Sequence, residues 1–223
     1  MSASGDDVWI KFKNFMGGTV IETINEIHRL MPDSILFGTI LLYFLTQNMA
    51  FGIFSIFIFE TVLTHKIISW VSAETVGSSR SVDLKCRAGY RTPRFDVHRM
   101  FSHEAYPSYG TFSITAIGAY LAMAMKEFSN TLDAMGPEWA SRSTVAYSLI
   151  ATVITAFLIV RWRSCESLGE IVVAFTLALI TGISFFYINK AIFGEEAMNF
   201  LGLPYLVSKE SKGSPIYVCS AEK

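Results

Sequence analysis

Four stretches of the chain carry no Asp, Glu, Lys or Arg: residues 34–59, 105–125, 143–160 and 171–189. A helix rises about 1.5 Å per residue, and the hydrocarbon core of a bilayer is about 30 Å thick, so about 20 apolar residues suffice to cross it. Each stretch is close to that length or longer. Charged residues make up 17% of the chain, against about 25% in soluble domains, and they cluster between these runs. The expected fold is therefore all-α: a polytopic transmembrane helical bundle of about four spans. A structured basic loop, residues 72–104, joins the first span to the second.

The first run is long enough to cross with tilt. Gln47 and Asn48 sit in its middle, where facing lipid would be costly, so they are expected to face other helices. A tight turn at this pair is the alternative, and it would leave two halves too short to span. The run continues as ETVLTHKIISWV, read as a helix leaving the membrane, with Trp70 at the interface. Phe37, Phe44, Phe51, Phe54, Phe57 and Phe59 are expected on a lipid-facing surface. Small residues recur four apart in the later runs: Gly118 and Ala122; Ser148, Thr152 and Ala156; Ala174, Ala178 and Gly182. That spacing lets membrane helices approach closely and points to a compact bundle.

Outside the membrane domain, 34–190, lie an N-terminal segment, 1–33, and a tail, 191–223, broken by Pro204 and Pro215. Val20, Ile24, Ile27 and Met31 recur at roughly helical spacing, as in a helix on a membrane surface or docked on a protein. The acidic, polar start does not read as a secretory signal. With four spans, Lys and Arg divide evenly between the two sides, so the positive-inside rule leaves orientation open.

A formal net charge of −1 gives no basic signature for nucleic acid. Cys86, Cys165 and Cys219 are odd in number and widely spaced, which argues against a disulfide framework or a zinc ribbon and suits a reducing environment. His98 and His103 are five apart, not the three or four that favour metal binding on a helix. No nucleotide, haem or serine-triad motif is present, so neither cofactor nor metal is expected. No pair of carboxylates marks a proton path within the four runs. Arg80, Lys85, Arg87, Arg91, Arg94 and Arg99 are candidates for contact with anionic headgroups or an acidic protein surface.

Lys85, Arg91 and Pro93, then Pro107 and Ser108, then Arg161 and Arg163 ahead of Glu166 and Glu170, fall in an order that resembles the type 2 phosphatidic acid phosphatase superfamily. Lys85, Arg91 and Pro93 imitate its first motif, with one residue displaced. Pro107 and Ser108 begin the second, with Tyr109 and Gly110 in place of glycine and histidine. Arg161 and Arg163 precede Glu166 and Glu170, which keep the histidine-to-aspartate spacing of the third. The resemblance implies a phosphatase-like fold whose two catalytic histidines are gone. A phosphohistidine route needs an imidazole nucleophile and a proton donor. The expectation is a dead site in which Arg161 and Arg163 neutralise Glu166 and Glu170.

A second resemblance rests on Lys-Cys-Arg-Ala-Gly-Tyr-Arg-Thr-Pro-Arg-Phe, from Lys85, followed by Tyr-Pro-Ser-Tyr-Gly-Thr-Phe, from Tyr106. These phrases look like small membrane proteins of large icosahedral double-stranded DNA viruses. That resemblance implies a minor capsid protein of the virion inner membrane, with the bilayer and a protein shell as partners. The first expectation is a non-enzymatic structural protein. The alternatives are a lipid phosphatase using Glu166 as an unconventional nucleophile and a small transporter or channel.

Overall fold

A computed structural model of the protein describes residues 9–11, 21–76, 106–164 and 166–200. Among them the regular structure is helical, with no strand. Five long helices follow in order: α1 Ile21–Thr46, α2 Met49–Val76, α3 Tyr109–Met135, α4 Pro137–Ser164 and α5 Leu168–Phe193. A short 3-10 turn, Glu196–Met198, comes after α5.

The longest charge-free run forms parts of two helices. Gln47 adopts a left-handed backbone, φ 55°, which ends α1, and its side-chain amide donates to the carbonyl of Phe44 at 2.9 Å. Asn48 then opens α2: its Oδ1 accepts from the backbone N–H of Ala50 at 2.9 Å, as an N-cap does. Its Nδ2 donates to the carbonyl of Asn199 at 3.1 Å, tying the turn to the end of the described chain. Ser55 donates to Thr39 at 3.0 Å, and Gly52 faces the ring of Tyr43. Partners thus step in opposite directions, and α1 and α2 form an antiparallel hairpin. Helix α1 also runs unbroken across residues 33 and 34, so the N-terminal segment and the first apolar run share one helix.

Among the described residues three helices are long and apolar enough to cross a membrane: Met49–Thr75, Pro137–Arg163 and Leu168–Phe193. Asp33–Thr46 is a shorter apolar stretch. The expected span 105–125 corresponds to α3, which is less apolar because it is the hub of the bundle. Thr111, Ser113 and Thr115 are as buried as Phe112 and Tyr120. A helix that meets protein rather than lipid gains from small and hydroxylated residues that admit close neighbours.

Helices α3 and α5 run parallel: Gly182 sits against the backbone of Ala116, and Tyr120 meets Phe186 edge-on at 5.5 Å. Helix α4 runs antiparallel to α3, with Ile150 and Ile154 over Gly118 and Phe157 beside Gly110. Of the small-residue stripes, Gly118 and the Ala174–Ala178–Gly182 series do pack inward. Ser148, Thr152 and Ala156 face outward, because α4 uses the Ile150, Ile154, Phe157 and Arg161 face instead. Only 11% of the apolar span of α4 is buried, so most of this helix's surface faces away from the bundle.

The phenylalanines of the first run divide between two surroundings. Phe37, Phe44 and Phe59 are exposed, while Phe54 and Phe57 are in the core. Phe57 stacks on Tyr120 with ring centroids 4.2 Å apart. Trp139, with Arg142 over its ring, and the exposed Trp162 lie near opposite ends of α4. At 1.5 Å per residue they are about 34 Å apart, near the spacing of the two interfaces of a bilayer.

Candidate functional site: a closed polar cluster at one end of the bundle

The N-terminal ends of α3 and α5 and the C-terminal end of α4 converge at one end of the bundle. The last turn of α4 carries Arg161 and Arg163, the basic residues that suit a helix C-terminus. After α4, the backbone N–H of Glu166 returns to the carbonyl of Arg161 at 2.9 Å. This turn folds Glu166 back over the helix it has just left. Nε of Arg161 donates to Oε1 of Glu166 at 2.5 Å, and its Nη2 lies at 2.5 Å from the same oxygen.

Helix α3 supplies the other donors. Ser108 precedes the helix, yet its hydroxyl makes no cap bond; it donates to Oε1 of Glu166. Thr111, one turn on, donates to Oε2 at 2.7 Å. Arg161 Nη2 also donates to the Ser108 oxygen at 3.1 Å. Both carboxylate oxygens are therefore occupied, and Arg161 and Glu166 are 7% and 8% exposed. Such a pair exchanges hydration for close charge contact, and its fit depends on satisfying the remaining lone pairs.

Beside this cluster, His65 of α2 is buried, with Nε2 at 2.6 Å from the carbonyl of Pro107. Its ring contacts Tyr109 and Phe112, at 5.1 and 5.2 Å. It fixes the backbone just before Ser108.

Of the residues singled out from the sequence, Ser108, Arg161 and Glu166 come together. Arg163 is exposed. Glu170 forms a capping box: its Oε2 accepts from the N–H of Ser167 at 2.9 Å, and its own N–H donates to Ser167 Oγ at 3.4 Å. Its first-turn placement also suits the positive end of the helix. Arg80, Lys85, Arg87, Arg91, Pro93, Arg94, His98, Arg99 and His103 lie outside the described residues, as does nearly all of the basic loop. Sequence reasoning misses Thr111 and His65. Thr111 is visible as a hydroxyl three residues after Ser108 on the same helical face, whereas nothing local points to His65.

The geometry bears directly on chemistry. A phosphate-binding arginine needs donors free for phosphate oxygens, and Arg161 directs its donors to Glu166 and Ser108. A carboxylate nucleophile needs an open oxygen, and Glu166 has donors on both. Among the described residues no three His, Cys, Asp or Glu side chains come together as metal ligands. In comparisons with known protein families, curated proteins and solved structures, nothing matches this chain.

Proposed function

We propose that the protein is a non-enzymatic integral membrane structural protein that links a bilayer to an overlying protein shell. The observation that carries the non-enzymatic part is the saturation of Glu166 by Arg161, Ser108 and Thr111. The residues that resemble a phosphatase site serve as a lock across the ends of α3, α4 and α5. In this reading four helices cross the membrane, α3 being the fourth, sheltered from lipid by the others.

The shell contact is assigned to the basic segment with Arg80, Lys85, Arg87, Arg91, Arg94 and Arg99. The antiparallel sequence of α2 and α3 returns the chain to the end where the Arg161–Glu166 pair lies, so both flanks of the segment reach that end. The partners are the lipid bilayer and a coat-like protein, and the resemblance to viral inner-membrane proteins suggests the minor capsid of a virion as the setting. Nucleic acid and cofactors have no part in it.

The test is phosphate release from phosphatidic acid vesicles by the reconstituted full chain, wild type beside Glu166→Gln. The expected outcome is no turnover in either. Release by the wild type that vanishes in Glu166→Gln would establish the alternative, a lipid phosphatase with Glu166 as nucleophile.

A further inference from the structure

The sequence reads Glu60 as marking a helix on its way out of the membrane, but it lies well inside the apolar span Met49–Thr75 of α2. Its carboxylate meets one side chain: Nδ2 of Asn189, on α5, donates to Oε2 at 3.1 Å. Among the described residues no cation pairs with Glu60. Lys190, next to Asn189, is engaged with Glu127 of α3 at 2.5 Å. Tyr120 of α3 lies beside both Asn189 and Glu60, with its hydroxyl directed to Sδ of Met198 at 3.2 Å. Residues 34–46 of α1 bear no charge, and Glu195 and Glu196 come after the end of α5.

Asn189 is fully buried, and its Oδ1 has no hydrogen-bond partner. A buried carbonyl oxygen left without a donor is costly, and so is an ionised carboxylate in a membrane without a cation. One proton removes both costs. A carboxylic acid and a primary amide are complementary, each offering one donor and one acceptor to the other.

We propose that Glu60 is a proton-binding site inside the membrane, read out by Asn189. The acid O–H donates to Asn189 Oδ1 while Asn189 Nδ2–H donates to the other Glu60 oxygen, closing a neutral ring between α2 and α5. Loss of the proton opens the ring, leaves a bare carboxylate facing one N–H, and weakens the contact between the two helices. Proton occupancy thus sets how tightly α2 is held to α5.

The test is infrared spectroscopy of the full chain in lipid vesicles at neutral pH. The wild type is expected to show a protonated-carboxyl stretch that is lost in Glu60→Gln. The amide introduced by Glu60→Gln can both donate to and accept from Asn189, so that variant should keep wild-type resistance to unfolding. Glu60→Ala cannot do either and should lose it. A wild-type spectrum with no carboxyl band removed by Glu60→Gln would overturn the proposal. So would a Glu60→Gln variant as unstable as Glu60→Ala.

Discussion

Arg161 and Glu166 stand at either side of the turn between α4 and α5, and the side chain of each closes on the other inside the protein, Nε to Oε1 at 2.5 Å. The pair joins a helix end that favours positive charge to a loop that supplies the negative one. Because Ser108 and Thr111 complete the contact from α3, three helix ends are fixed by one carboxylate.

Removing one partner of this pair leaves the other buried and unpaired, at a cost of about 3–5 kcal/mol. Arg161→Met and Glu166→Leu should each be strongly destabilised in a lipid or bicelle unfolding assay. The double variant should recover most of that loss, since an apolar pair of similar volume is often neutral. A double variant as unstable as the sum of the singles would mean that the two residues act independently.

Gly182 and Gly118 both lie at close helix contacts, but with different neighbours. A methyl group at Gly182 would meet the backbone carbonyl of Ala116, which cannot move without shifting α3. One at Gly118 would meet the end of the Ile154 side chain, which can change rotamer. Gly182→Ala should therefore lower the unfolding midpoint clearly more than Gly118→Ala. Equal losses would contradict the packing described for α3 and α5.

Ser167→Ala removes one half of the capping box at the start of α5 and should cost about 1 kcal/mol, measured by the same unfolding assay. Glu170→Gln keeps a group that can accept from the Ser167 N–H and should cost less. If Glu170 served chiefly to neutralise an arginine, the order would be reversed.

The capping box is legible in the sequence as Ser167-Leu-Gly-Glu170, a serine three residues ahead of a glutamate before an apolar run. Its spacing also fits an ion-pair reading, and only the local hydrogen bonds separate the two. The apolar helices are equally legible, since absence of charge over about 20 residues is a property of sequence alone. The break at Gln47 is less so. A left-handed residue is usually glycine or asparagine, so a glutamine there leaves a tight turn as only the alternative to a continuous span. Helix α3 shows the opposite difficulty: burial among other helices lets it carry Thr, Ser and Gly, so its apolar signal is weaker than that of the more exposed α4. The meeting of Ser108 with Glu166, and of Glu60 with Asn189, depends on how helices far apart in sequence align, which no local pattern records.

Asn48→Ala removes both the cap of α2 and the bond to the carbonyl of Asn199. The expected result is a loss of about 1 kcal/mol from the cap, with further loss from the Asn199 contact. Faster amide exchange should be confined to residues around 46–52 and 198–200. Exchange spread evenly over the bundle would show that the hairpin turn is not a separate local unit.

The most direct test of the structural role is cross-linking with mass spectrometry on the intact native membrane or particle, reading links from Lys11, Lys85, Lys209 and Lys212. The account predicts dense links from Lys85 to one abundant coat-like protein, reduced when Arg91→Glu and Arg94→Glu are introduced together. Links confined to membrane-embedded neighbours, with normal incorporation of the double variant, would contradict it.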